Sequence, residues 1–148
     1  MVYKYYMNVT NDFKILSDDF NKELQLQFGK KQEKYQQYNL LEGIKDVVIC
    51  YNGISPIGCA SIKYFDNDSY EVKRVFIDKN YRGRGISKKL MQELEKIAEE
   101  KGIKKLILET GEALVPAVNL YKNIGYRIIE NYGQYKDMPE SICMEKVL

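Results

Sequence analysis

Two glycines and four cationic side chains share one short stretch, Tyr81-Arg82-Gly83-Arg84-Gly85-Ile86-Ser87-Lys88-Lys89. Glycines at a strand-to-helix turn let backbone N–H groups converge on an anion, and the helix N-terminus adds donors of its own. Phosphate binding is the chemistry that suits them. The Walker A spacing G-x-x-x-x-G-K-S/T does not occur in the chain. The dinucleotide pattern G-x-G-x-x-G, begun at Gly83, would need glycine where Lys88 stands. The pattern R-x-x-G-x-G/A is met at Arg82 and Gly85, and at its third position Ser87 stands in place of Gly or Ala, still small enough for close backbone approach. The plainer alternative is a basic, glycine-rich surface turn.

The elements that must position this loop follow from hydrophobic spacing. Val72 to Ile77 reads as the strand before it, part of a strand over Tyr70–Ile77. Ile86 to Lys101 reads as the helix after it, with Ile86, Leu90, Leu94, Ile97 and Ala98 on one face and Gly102 at its end. Upstream, Val2 to Val9 reads as a strand, and Thr10-Asn11-Asp12 supplies caps for a helix carrying Phe13, Leu16, Phe20, Leu24 and Phe28. A more polar helical piece is expected over Gln32 to Leu41. Asp46–Tyr51 and Ile57–Phe65 read as a hairpin turning at Asn52-Gly53. Downstream, Lys105–Glu109, Tyr126–Asn131 and Ile142–Val147 read as strands, with a helix from Pro116 to Asn123 closed by Gly125. This is a mixed α/β order, and the crossover helix after the central strand implies a parallel pair.

A chain of 148 residues suits one domain, and hydrophobic and charged shares of 45% and 30% are ordinary globular values. A net charge of +2 does not suggest a nucleic-acid partner. Cys50, Cys59 and Cys143 are isolated in apolar runs and histidine is absent, which argues against a metal site and for reduced, buried thiols. Met1-Val2-Tyr3-Lys4-Tyr5-Tyr6 lacks the apolar core of a signal peptide, and no run reaches transmembrane length. The expectation is a cytoplasmic protein, monomer or homodimer, with no membrane partner.

The loop resembles the pyrophosphate-binding signature of the GNAT family of N-acetyltransferases, which hold acetyl-coenzyme A. A second stretch, Ala117-Val118-Asn119-Leu120-Tyr121-Lys122-Asn123-Ile124-Gly125-Tyr126, is similar to that family's A-x-x-L-Y-x-x-x-G-F/Y helix. The two motifs cover roughly Glu71 to Tyr126, and the strand order extends the likeness over nearly the whole chain. The resemblance implies one domain over residues 1–148, with a central, mostly antiparallel twisted sheet, one parallel pair at the cofactor site, and flanking helices. It implies that the backbone around Gly83, Arg84, Gly85, Ile86, Ser87 and Lys88, with Arg82, holds the pyrophosphate of acetyl-CoA. It implies too that the backbone of Val75, Phe76 and Ile77 pairs with the pantetheine arm and supplies an oxyanion donor.

For the chemistry, the likeness points to Tyr121 as the proton donor to the departing thiolate. The bland alternative for Tyr121 is a ring packed in the core. Glu71 falls where the histone acetyltransferase branch carries its catalytic glutamate. A partly buried glutamate suits a general base, but Glu71 could equally be an ion-pair partner. Glu109 or an ordered water are the other candidate bases. Leu114 departs from the family, many members of which carry Asn there. The acceptor is expected to be a small-molecule amine, met by aromatics such as Tyr35, Tyr38, Tyr132 and Tyr135. The alternatives are a protein lysine or N-terminal amine as acceptor, or a non-catalytic acyl-CoA-binding sensor.

Overall fold

The structure, a computed structural model, describes residues 1–38 and 40–148, and of Lys34 only the backbone. Seven strands form one sheet in the order β1-β2-β3-β4-β5-β7-β6: β1 Val2–Tyr6, β2 Ile44–Asn52, β3 Ser55–Tyr64, β4 Ser69–Ile77, β5 Lys105–Gly111, β6 Arg127–Ile129 and β7 Ser141–Val147. The helices are α1 Asn11–Phe28, α2 Glu33–Gln36, α3 Ile86–Glu100 and α4 Val115–Asn123. The sheet is mostly antiparallel, and β4 and β5 make the expected parallel pair, with Ser69, Tyr70 and Glu71 opposite Lys105, Leu106 and Ile107. Parallel neighbours need a crossover, and α3 supplies it.

Backbone contacts divide the chain into two compact units, Met1–Lys63 with Lys73–Leu94, and Tyr64–Val72 with Glu95–Leu148. The first has a core of Phe13, Leu16, Ile44, Val47, Ile49, Tyr51, Cys59 and Phe76. In α1, Thr10 caps the helix by accepting from the Phe13 N–H at 3.2 Å, and Phe13, Leu16 and Leu24 of the expected face are buried. In α3 the predicted stripe is buried throughout, with Met91 added to it.

Several boundaries differ from the sequence reading. β1 stops at Tyr6, and the hairpin turns at Gly53-Ile54, one residue later than expected, because Asn52 still pairs with Ser55. The polar piece after α1 is a 3₁₀ turn over Gly29–Gln32 followed by the single turn of α2. The extension once expected to Leu41 crosses Asn39, which lies outside the described residues.

The second unit shows why the Tyr121…Gly125-Tyr126 spacing recurs as a motif. At the end of α4 the Tyr126 N–H bonds the Tyr121 carbonyl and the Gly125 N–H bonds the Lys122 carbonyl. This is a Schellman cap, whose geometry requires a left-handed residue at Gly125 and brings the residue after it onto the last turn. Gly125 takes φ 104°, and the Tyr126 ring lies 5.8 Å from that of Tyr121, at 63°. A Cβ on Gly125 would also come within 3.2 Å of Lys146 Cε, whose ammonium is held by the Ile124 carbonyl and by Glu95. Gly125→Ala is therefore expected to cost about 1–2 kcal/mol from backbone strain, with the crowding of Lys146 on top, read as a lower urea midpoint at an unchanged slope.

Candidate active site

The first unit holds the basic loop. β4 ends at Ile77, and the Asp78 N–H bonds the Ile57 carbonyl. The Asp78 side chain then accepts from the Asn80 N–H, starting a 3₁₀ turn over Lys79–Tyr81. Gly83 and Gly85 follow at φ 77° and 76°, both exposed, and a Cβ on either would meet nothing within 4 Å. The glycines are thus required by conformation, and the space beside them is open to a ligand. The Gly85 carbonyl accepts the first helical bond, from the Lys89 N–H. The N–H groups of Ile86, Ser87 and Lys88 consequently have no acceptor within α3. Unbonded N–H groups at a helix end beside open glycines are backbone of the kind that can receive an anion.

The arginines divide their tasks. Arg82 donates from Nε to the Ile77 carbonyl at 2.9 Å and from Nη2 to both carboxylate oxygens of Glu23 at 2.7 and 2.8 Å. Its guanidinium lies 5.7 Å from the Phe76 ring. Arg82 therefore ties the loop to β4 and α1, its charge answered by Glu23. Arg84, 5.2 Å from the Tyr81 ring, and the exposed Lys88 add positive charge to the loop, while Lys89 pairs with Glu93 at 3.1 Å.

Ahead of the loop, Phe76 and Ile77 are buried and Val75 is partly so, with Phe76 stacked on Phe20 at 5.2 Å. Gly58 on β3 makes room for them, because a Cβ there would come within 2.8 Å of Ile77 Cδ1. Arg74 is the one described non-glycine residue with positive φ, 58°. Only 5% exposed, it donates to Ser17 Oγ, the Ser17 carbonyl and Asn21 Oδ1, and stacks 4.7 Å from Phe20. Burial pulls its pKa down to about 10, which leaves it charged at neutral pH.

The second unit gathers the acid–base candidates. Glu71 faces Ile107 across the parallel pair, and Glu109 lies two residues beyond Ile107, so both carboxylates share one sheet face. Glu71, 6% exposed, accepts from Tyr132 Oη at 2.5 Å, and Glu109 accepts from Ser141 Oγ at 2.6 Å. Cys143 lies opposite Glu109. Burial, helped by the charges of Glu109 and Glu71, pushes the Cys143 thiol up to about 11, although the Tyr132 N–H bond opposes this. Burial and the charge of Glu109 also raise the Tyr121 phenol well above the ordinary value. Tyr121 and Glu109 are thus electrostatic neighbours, as are Glu71, Tyr132 and Tyr135.

Of the four aromatics expected at the acceptor, Tyr132 and Tyr135 join the Glu71 cluster of the second unit. Tyr35 and Tyr38 belong to the first unit, where the Tyr38 carbonyl accepts from Lys73 Nζ at 2.7 Å. Leu114 begins α4 without a side-chain cap. Sequence reasoning missed Glu23, Arg74 and Gly58. Only Gly58, an isolated glycine within a strand pattern, carried a local signal.

The Acetyltransferase (GNAT) family model matches residues 13–126 of the chain. The uncharacterized N-acetyltransferase YsnE of Bacillus subtilis is 30% identical over 100 residues, 66% of this chain and 66% of its own length, so the match spans just under two thirds of that relative. Among solved structures, a Klebsiella pneumoniae protein assigned as an acyl-CoA N-acyltransferase superposes with TM-score 0.81 at 25% identity, covering 99% of this chain and 97% of that one. A GNAT acetyltransferase from Elizabethkingia anophelis with acetyl-CoA bound shares the fold with TM-score 0.71 at 21% identity over 99% and 97% of the chains.

The raised phenols have a consequence for stability. Tyr51, Tyr121, Tyr126, Tyr132 and Tyr135 all titrate higher in the folded chain, chiefly through burial. An unfolded phenol titrates near 10, so above that pH the unfolded chain sheds protons that the folded chain keeps. The stabilisation is complete below about pH 10 and is lost as pH rises beyond it. Thermal melts should show Tm falling steeply above about pH 10; a Tm that stays level through that range would contradict this.

Proposed function

The chain belongs to the GNAT family of acetyltransferases, and we propose that it is an acetyl-CoA-dependent N-acetyltransferase, acting on the primary amine of a small molecule by direct attack in a ternary complex. The observation that carries the reading is the pair of left-handed glycines, open on their Cβ side, at the start of α3. Acetyl-coenzyme A supplies the activated acyl group as a thioester. Relatives named as N-acetyltransferases, and a fold neighbour with acetyl-CoA bound, support this co-substrate.

The roles follow from the chemistry of each group. Backbone N–H groups from Gly83 to Lys88 hold the diphosphate, with Arg84 and Lys88 adding charge and Arg82 fixing the loop. Backbone groups of Val75, Phe76 and Ile77 pair with the amide-bearing arm and polarise the carbonyl, as preorganised dipoles rather than proton donors. An alkyl ammonium titrates near 10.4, so the acceptor must lose a proton before it attacks. Glu71 takes that proton in this reading, with Glu109 or an ordered water as the other routes. Tyr121 Oη donates to the leaving sulfur. A thiol titrates near 8.5 and the Tyr121 phenol is held well above 10, so complete proton transfer from Tyr121 is uphill. Its hydrogen bond is the larger contribution, and the rate effect belongs at the lower end for a positioned acid.

Thiol release from acetyl-CoA against amines, amino acids, polyamines and lysine peptides tests the proposal, with cofactor binding followed by calorimetry. Turnover on a small amine is the expected result. Turnover on lysine peptides alone would move the acceptor class to proteins, and tight binding without turnover would favour a sensor. Tyr121→Phe should lower turnover at least about tenfold with cofactor affinity nearly unchanged. Gly85→Glu should abolish cofactor binding by filling the cradle with bulk and negative charge; undiminished affinity would refute the phosphate assignment.

A further inference from the structure

One segment, Asn131 to Ser141, sends a hydroxyl donor to each of the two carboxylates. Tyr132 serves Glu71 and Ser141 serves Glu109. The segment is closed by one side chain: Asn131 Nδ2 lies 3.2, 3.0 and 3.1 Å from the carbonyls of Tyr135, Met138 and Ser141. The Tyr132 ring sits edge-on to Phe65 at 5.2 Å and 76°, and to Tyr135 at 5.7 Å and 87°. Tyr135 is itself buried. The phenol is therefore fixed by packing on both flanks, and its oxygen reaches Glu71 Oε2 at 2.5 Å. Burial and the negative charge of Glu71 keep that phenol protonated, so it stays a donor.

We propose that Tyr132 is a positioning residue for Glu71: its clamped phenol holds the carboxylate in the orientation from which Glu71 takes the acceptor's proton. The proposal rests on the reading of Glu71 as the base. A glutamate has three side-chain torsions, and an unheld carboxylate samples geometries in which the amine proton is out of reach. A group that takes a proton must lie within hydrogen-bond distance of it, so fixing the carboxylate raises the fraction of bound acceptors that can react. A merely structural tyrosine would satisfy a buried carboxylate equally well, but it would affect stability rather than turnover.

The test is a double-mutant cycle, run with acetyl-CoA and the panel amine of highest turnover. Tyr132→Phe should lower kcat/KM for the amine about tenfold while leaving the acetyl-CoA affinity unchanged. Glu71→Gln should lose more, and Tyr132→Phe placed on Glu71→Gln should add no further loss, because both variants remove one unit. Losses that multiply in the double variant, or a wild-type rate in Tyr132→Phe, would overturn the positioning role while leaving Glu71 as the base. Full activity in Glu71→Gln would sink the base reading itself, and with it this role, as would a lack of turnover on every amine of the panel. Phe65→Leu covers the case in which Tyr132→Phe does not fold, since it frees one flank of the ring and keeps the hydroxyl. A fall of about threefold in kcat/KM with unchanged cofactor affinity is expected there, and a wild-type rate would overturn the proposal.

Discussion

The segment from Arg74 to Arg82 is pinned at both ends by α1. At its start the Arg74 guanidinium enters the helix and donates to Ser17 and Asn21, with Phe20 beneath it. At its end Arg82 grips Glu23. A left-handed backbone at a residue other than glycine costs on the order of 1–3 kcal/mol and persists only where its surroundings over-determine it. Arg74 satisfies that condition through three hydrogen bonds and a cation–π stack. Val75, Phe76, Ile77 and the glycine turn all lie between these two anchors. The anchors differ in kind, because the Arg74 contact is buried whereas the Arg82–Glu23 pair is 45% and 36% exposed. An exposed pair contributes about 0–1 kcal/mol, so Arg82 orients the loop more than it stabilises the chain.

Legibility in the sequence tracks the range of the interaction. The α3 stripe, the Thr10 cap and the Gly125 terminus depend on residues within a few positions of one another, and all were readable from spacing. The loop glycines were readable for the same reason. Arg74 with Ser17, Arg82 with Glu23, and Tyr132 with Glu71 join residues 57, 59 and 61 positions apart, and no period announces such pairs. Arg82 is the instructive case. Its place in the motif marks it as a phosphate ligand, and the same side chain bonds a carboxylate and a carbonyl that no spacing announces. Boundary errors also have local causes: the turn at Gly53-Ile54 sits one residue late because the ladder keeps Asn52.

Two carboxylates on one face of the second unit, each with a hydroxyl donor, give that face a different character from the basic loop. Hydrogen bonds to ionised groups are shorter and stronger than neutral ones. The Tyr132–Glu71 and Ser141–Glu109 distances of 2.5 and 2.6 Å agree with that pattern. The phenols around them are raised chiefly by burial and further by these same charges. Glu71, Glu109 and their tyrosines thus form one electrostatic system, in which removing any member alters the environment of the others.

The three cysteines carry a quieter consequence. Each is free and buried, and burial raises all three thiols, Cys59 to about 12 and Cys143 to about 11. Only the thiolate attacks an activated acyl group, so at neutral pH the folded chain offers almost no sulfur nucleophile. A protein of this family keeps company with a reactive thioester, and stray acylation of its own sulfur would be a slow form of self-poisoning. Burial of Cys50, Cys59 and Cys143 closes that side reaction for as long as the chain stays folded.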